Sequence, residues 1–170
     1  MRAIKDNLGD RPAGGFTLLE LLAVVVILGV ATAIVVPKLG HTGDITAVAA
    51  ARQLCGDLRY AQSYAINTQT PVQVSFNCTT AQYTLTAVPA TGSSFVLTNP
   101  NTNQNYVMGF TAGASRLGSV TLNSTTFTSN LFTFDALGCP SAAGSIQLGS
   151  QTHTTTVSVA TPTGKLTIQY

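Results

Sequence analysis

The residues whose chemistry is clearest lie near the beginning of the chain, where two glycines precede a long apolar run. The run extends from Phe16 to Val36, and Glu20 is its single charged residue. A carboxylate within a membrane helix costs about 2.5–3.5 kcal/mol on insertion scales, so Glu20 needs a partner charge.

Flexible glycines let a backbone enter a protease groove, and a cut after Gly15 would leave an amine on Phe16, one helical turn from Glu20. We expect the amine of one subunit to neutralise Glu20 of the next, because a paired buried charge is tolerated. A charge merely tolerated near a helix end is the alternative.

The apolar run has the length of a membrane-spanning helix. Its 21 residues would extend about 31 Å as a helix, which is enough to cross the hydrocarbon core of a bilayer. Three basic residues precede it, namely Arg2, Lys5 and Arg11. Because such charges stay on the cytoplasmic side, everything after Pro37 should be translocated. We expect helix breaks at Gly29 and Pro37, since glycine costs about 1 kcal/mol and proline about 3 kcal/mol within a helix.

The stretch Gly15-Phe16-Thr17-Leu18-Leu19-Glu20 resembles the processing motif of type IV prepilins. The resemblance implies a leader over 1–15 and cleavage between Gly15 and Phe16 by an inner-membrane prepilin peptidase, which also N-methylates Phe16. It implies a transmembrane and filament-core helix over 16–37, in a single-pass protein of the bacterial inner membrane. Other pilins and an inner-membrane assembly platform are the implied partners, and the C-terminal domain would lie in the periplasm before and after filament assembly.

A second helix is predicted after the apolar run. A kink or a locally melted stretch is expected over 37–44, and Asp44 is a reasonable N-cap for a helix that restarts at Ile45. Apolar residues then recur at three- and four-residue spacing up to residue 67 and form one stripe. The segment 38–67 is therefore expected to continue the helix and to pack its stripe of alanines and leucines on a sheet.

The remainder of the chain, 68–170, is predicted to be rich in β-strands. Past residue 71 the apolar period changes to two, which indicates half-buried antiparallel strands over 72–76, 83–87, 157–159 and 166–170. The stretches 89–105 and 111–119 are rich in Gly, Pro, Asn, Ser and Thr and indicate surface loops. The predicted fold class is α+β, with a long N-terminal helix packed on an antiparallel β-rich domain.

Three stretches resemble the GspH/FimT group of minor pilins and pseudopilins: 51–66 leading into 72–76, 132–138 followed by 146–148, and the closing hairpin 157–168. The resemblance implies a type IV pilin-like fold and a structural subunit of a type II secretion pseudopilus or a type IV pilus. Such a subunit acts in filament initiation, assembly and protein secretion. In DNA-binding members, arginines lie near a C-terminal Gly-Arg, where this chain has Gly164-Lys165. Lys165 and Arg116 are thus weak candidates for DNA contacts, and a pilus-associated receptor for DNA uptake, or a major pilin, is the alternative function.

The three cysteines are expected to have different roles. Cys55 flanks the apolar stripe of the second helix and should be a small buried hydrophobic residue. Cys78 and Cys139 lie near strand ends of a domain expected in the periplasm, where disulfides persist. We expect a Cys78–Cys139 bridge, with two separately buried thiols as the alternative.

The composition gives little support for catalysis or for a cofactor. Asp135 is the only acidic residue after Asp57, so a carboxylate pair within the β-rich region is excluded. His41 and His153 have no catalytic partner at motif spacing, and the absence of CxxC argues against zinc. The formal net charge of +2 does not require nucleic acid. We expect a protein that is not an enzyme and that has no metal or cofactor.

Overall fold

The computed structural model describes residues 15–35, 42–110, 120–150 and 153–170, without the side chains of 33–35 and 42–44. The predictions for leader residues 1–14, Pro37, His41 and Arg116 lie outside the described residues. The chain divides into two units, Met1–Gly40 and His41–Tyr170.

The described residues of the first unit contain one helix, α1, over Leu18–Val35. Thr17 precedes its first residue, and the Thr17 Oγ1 accepts a hydrogen bond of 3.2 Å from the Glu20 amide. The predicted break at Gly29 is wrong, because α1 continues through this residue; a single glycine costs about 1 kcal/mol, too little to interrupt an otherwise favourable helix. The described side chains of α1 are exposed on every side of the helix within this unit.

None of the helices among the described residues is long and apolar enough to span a membrane. The membrane span over 16–37 stays a prediction.

The second unit begins with helix α2, over Thr42–Thr68. It starts two residues before Asp44, so the prediction of Asp44 as N-cap is wrong. One face is buried and consists mainly of small residues: Ala47, Ala50, Ala51, Leu54, Cys55, Leu58, Ala61 and Ala65. The helix ends at Thr68, and the next residue, Gln69, has a φ of 51°, the left-handed conformation common after a helix C-terminus. The Gln69 side chain donates a 3.0 Å hydrogen bond to the carbonyl of Ile66, which satisfies one carbonyl of the last turn.

Within the described residues, nine strands form two antiparallel sheets. The strands are β1 Val72–Asn77, β2 Gln82–Ala87, β3 Phe95–Val96, β4 Val107–Gly109, β5 Thr121–Thr125, β6 Leu131–Phe134, β7 Gly144–Ser150, β8 His153–Ala160 and β9 Lys165–Gln169. Sheet I has the order β3-β2-β1-β6, with β4 also paired to β2, and sheet II has the order β5-β7-β8-β9. β3 lies within 89–105, which was predicted to be a loop.

The core lies between α2 and the inner faces of both sheets. In sheet I, Val74 is opposite Leu85 of β2 and Phe132 of β6, and all three side chains are fully buried. Phe127 and Phe132 stack with their ring centroids 4.5 Å apart. The alternation of buried and partly exposed residues along each strand follows from the two-residue period of the sequence, and the α+β architecture agrees with the prediction.

The three cysteines are free thiols, so the predicted Cys78–Cys139 disulfide is wrong. Cys78 follows the last residue of β1, whereas the first residue of β1, Val72, lies opposite Phe134. Cys139 belongs to that other end, because its carbonyl accepts a 2.9 Å hydrogen bond from the Asp135 amide. Six strand residues extend about 20 Å, and a disulfide needs Cα atoms within about 7 Å. Cys55 is 5% exposed, which confirms its predicted burial.

Candidate functional site

The predicted processing site is accessible in the described structure. Gly15, Phe16 and Thr17 precede α1 without regular secondary structure, and Phe16 is 75% exposed. A Cβ atom added to Gly15 would meet nothing within 4 Å. Among the described residues, no side chain therefore crowds Gly15 in a way that would hinder an extended approach of the Gly15–Phe16 bond to a protease.

Glu20 lies in the first turn of α1, where its side chain is exposed. Thr17 and Glu20 have the spacing of a capping box, and the Thr17 hydroxyl accepts from the Glu20 amide. A carboxylate in the first turn is also favoured by the helix dipole. The Thr-x-x-Glu pattern was visible in the sequence and indicates a helix start as well as an assembly charge, so Thr17 has a local structural role that the sequence analysis missed.

A second polar site joins α2 to sheet I through the carboxylate of Asp57. Its Oδ1 accepts a 2.9 Å hydrogen bond from the Tyr106 hydroxyl, and its Oδ2 accepts one from the Tyr83 hydroxyl. Tyr83 comes from β2 and Tyr106 immediately precedes β4. Both carboxylate oxygens of a half-buried aspartate are thus satisfied by buried tyrosines. We call this group the Asp57 clamp.

The electrostatics of the Asp57 clamp follow from its partial burial. Burial raises the pKa of Asp57, and the two tyrosine hydroxyls oppose that rise because they donate to the ionised form. Burial also raises the pKa of Tyr83 and of Tyr106, and the adjacent Asp57 charge adds to both shifts. The tyrosines are therefore neutral donors at neutral pH, and the group has the character of a structural contact.

Aromatic stacking and backbone hydrogen bonds extend the Asp57 clamp. The ring of Tyr60, one turn further along α2, stacks on Tyr106 with 5.3 Å between centroids. The Tyr106 amide donates to the Leu97 carbonyl at 2.6 Å, and the Leu97 amide donates to the Leu85 carbonyl at 2.9 Å. The segment that contains β3 and β4 is thereby held both to β2 and to α2.

A third polar site forms around Gln62 of α2. Its Nε2 donates to the carbonyl of Gly138 at 2.8 Å and to that of Thr163 at 3.2 Å. Gly138 has φ +80°, and a Cβ there would lie 2.7 Å from Ile66 Cδ1. Gly164 has φ +67°, and its Cβ would lie 2.5 Å from Gln62 Nε2. Both positions therefore require glycine for backbone conformation and for close approach.

Asp135 organises the turn that reaches Gln62. Its Oδ1 accepts hydrogen bonds from the amides of Leu137 at 2.9 Å and Cys139 at 2.8 Å. The turn leaves the Leu137 side chain 75% exposed. Asp135 thus supports backbone structure.

Gln62 brings together the three stretches on which the sequence resemblance rests: 51–66, 132–138 and 157–168. Sequence pattern alone does not distinguish Gln62, because a glutamine beside an apolar stripe resembles any surface residue of a helix. Of the two weak candidates for DNA contacts, Lys165 is exposed at the start of β9. Among the described residues, no group of His, Cys, Asp and Glu side chains could hold a metal ion.

Most of the second unit matches a known protein family. Residues 50–164 match the family of the type II transport protein GspH. The chain belongs to the GspH family. This confirms the predicted resemblance, and the matched range includes Asp57, Gln62, Gly138 and Gly164. Residues 10–36 of this GspH family member match the prokaryotic N-terminal methylation motif, a range that includes the predicted processing site.

Two solved structures resemble this GspH family member. The minor pseudopilin EpsH of the Type 2 Secretion System of Vibrio cholerae is 12% identical, with a TM-score of 0.57, and the match covers 72% of this chain and 95% of EpsH. The type IV minor pilin FimU of Pseudomonas aeruginosa is 18% identical, with a TM-score of 0.48, and the match covers 72% of this chain and 91% of FimU. No curated protein is significantly similar in sequence. The likeness to EpsH confirms the predicted pilin-like fold.

Proposed function

We propose that this chain is a minor pilin or pseudopilin, incorporated into a type II secretion pseudopilus or a type IV pilus and acting in filament initiation or assembly. The observation that carries the proposal is a single chain with an N-terminal methylation motif over 10–36 and a GspH domain over 50–164. The exposed Gly15–Phe16 bond and the apolar surface of α1 support it, since an apolar helix surface needs cover from lipid or from other helices.

In the proposed pathway, an inner-membrane prepilin peptidase cuts between Gly15 and Phe16 and methylates the new amine. Methylation retains the positive charge of that amine. The chain is held in the inner membrane by residues 16–37, with its GspH domain in the periplasm, until an assembly platform transfers it into the filament. There Glu20 of one subunit accepts the Phe16 amine of a neighbour, which fixes the axial register of the helices.

Processing can be tested by expressing the full chain with and without a prepilin peptidase and measuring intact mass. The expected product lacks residues 1–15 and carries one methyl group on Phe16. A Gly15→Val variant, which places a branched side chain beside the bond, should stay uncut. A product cut after the apolar run, or an unmodified full-length chain in the presence of an active peptidase, would contradict the proposed pathway.

A further inference from the structure

The exposed face of α2 has a regular pattern, and the domain packs against it at Ile66, which lies beside Gly138. Opposite the buried stripe, exposed or half-buried residues recur at alternating intervals of four and three positions: Ile45, Ala49, Arg52, Gly56, Arg59, Ser63 and Ile66. This is the spacing of a seam between two packed helices. Both ends of the pattern are apolar, since Ile45 is 70% and Ile66 43% exposed. We call this set of residues the heptad stripe.

The two arginines of the heptad stripe have no counter-charge within the described residues. Neither Arg52 nor Arg59 forms an ion pair there. After Gly15 the sequence contains only four acidic residues: Glu20, Asp44, Asp57 and Asp135. The carboxylate of Asp57 is held by two tyrosines and that of Asp135 by its own turn. Within the described residues, two exposed guanidinium groups on one helix face thus lack a carboxylate partner.

The space beside the arginines is open. A Cβ added to Gly56, between them on the same face, would meet nothing within 4 Å. A groove at the start of the stripe is lined by Ile45, Val48, Ala49 and Arg52, so apolar and cationic surface adjoin each other. A partner helix can therefore approach closely while its charged side chains reach both guanidinium groups.

The spacing of the arginines defines the chemistry of the occupant. Arg52 and Arg59 are seven residues apart, about 10.5 Å along the helix axis, and they suit two carboxylates at the same spacing on a neighbouring helix. Neither of the two α-helices in the described part of the chain has such a pair: α1 contains Glu20 alone, and α2 contains Asp44 and Asp57, thirteen residues apart. A second copy in parallel register would also place arginine beside arginine, which is unfavourable.

We propose that the heptad stripe is the docking face for an acidic α-helix of a different subunit, one that carries carboxylates seven residues apart. The inference rests on the proposed function, because a filament is what brings helices of different subunits side by side. Complementary charge selects the partner and disfavours a neighbour of the same kind. This distinguishes a minor subunit, inserted singly among other subunits, from one that polymerises with itself.

The test uses the full chain in detergent and a synthetic helical peptide about three heptads long, with Glu at two positions seven residues apart. Matched peptides carry Gln or Lys at the same two positions. Fluorescence anisotropy should show the Glu peptide binding about tenfold more tightly than the Gln peptide at low salt. The advantage should vanish near 1 M salt, where the screening length is about 3 Å.

Charge reversal makes the test specific to the heptad stripe. The R52E/R59E double variant should prefer the Lys peptide, whereas K165E, which reverses an exposed cation outside α2, should behave like the wild type. Circular dichroism establishes whether each variant is folded. If R52E/R59E unfolds, the R52Q/R59Q variant replaces it, and this variant should bind the Glu peptide and the Gln peptide equally. Equal binding of the Glu and Gln peptides, or an unchanged preference after reversal, would overturn the inference.

A second experiment separates this inference from the proposed function. A photo-crosslinking amino acid at Gly56 of the full chain, expressed with its secretion or pilus system, should yield heterotypic adducts that are lost in R52E/R59E. Homodimers as the main adduct, or unchanged adducts in R52E/R59E, would refute the docking face while leaving the pilin role intact. A chain that is never processed after Gly15 would refute the proposed function, whatever the peptides show.

Discussion

The two α-helices among the described residues differ in where their side chains find partners. α2 has one buried face of small residues, and its polar side chains Asp57 and Gln62 find partners within the same domain. α1 is apolar on every side, its described side chains are exposed within its unit, and Glu20 has no cationic partner among the described residues. The buried face of α2 is thus completed within one molecule, whereas the described side chains of α1 are left without cover within their unit.

The comparison predicts that the same leucine-to-alanine truncation lowers domain stability much more in α2 than in α1. Leu54→Ala in α2 should destabilise the domain by about 2–5 kcal/mol, because it leaves a cavity at a fully buried site. Leu22→Ala in α1, at a site 62% exposed, should change domain stability by less than about 0.5 kcal/mol. Denaturant unfolding of the full chain in detergent, followed by near-UV circular dichroism, measures both. Equal losses would show that α1 contributes to the fold of the domain.

Glycine-to-alanine substitutions in the two units should change stability in opposite directions. Gly138→Ala places a methyl group 2.7 Å from Ile66 Cδ1 at a positive φ, and should cost about 2–3 kcal/mol. Gly29→Ala in α1 meets nothing within 4 Å and should favour the helix by about 1 kcal/mol. Thermal unfolding of the domain and the helical signal of the full chain report the two effects. Adding Ile66→Ala to Gly138→Ala should recover the part of the loss that is due to the clash; no recovery would assign the whole loss to backbone strain.

The charge of Glu20 in α1 should affect contacts between subunits and not the structure of a single subunit. Glu20→Gln keeps the size of the side chain and removes its charge, so it should reduce filament incorporation about tenfold, equivalent to about 1.4 kcal/mol. Thr17→Ala removes the capping hydroxyl, should weaken the first turn by about 1 kcal/mol, and should leave incorporation close to wild type. The measurement is the ratio of filament-associated to membrane-associated protein. Equal defects in the two variants would assign Glu20 to helix capping alone.

The smallest expected effect is the pH dependence of the Asp57 clamp. Because burial raises the pKa of Asp57, the folded state binds a proton more tightly than the unfolded state does. The contribution of this group to stability is therefore fully present below its unfolded pKa, and is lost as pH rises through the raised folded pKa. Asp57→Asn should remove this component from a plot of unfolding free energy against pH. An unchanged profile would show that the tyrosine hydroxyls offset the burial completely.

Local patterns predicted the parts of the fold in which neighbours in sequence are neighbours in space. The alanine and leucine spacing of α2, the alternation in β1 and β2, and the hairpin of β8 and β9 all follow from short-range periodicity. Gly29 shows the limit of local propensity, because one glycine costs too little to interrupt a helix of apolar residues on both sides. β3 was missed because a two-residue strand carries no periodic signal.

The sequence by itself determined the processing motif, the apolar run with its single carboxylate, and the alternation of buried and exposed positions, because each of these depends on residues within a few positions of one another. Only the tertiary structure decided which distant residues meet. The pairing of β1 with β6 places Cys78 and Cys139 at opposite ends and so excludes their disulfide. The same folding brings Gln62 to Thr163, 101 residues away. Such contacts depend on strand order and register, which short-range periodicity does not specify.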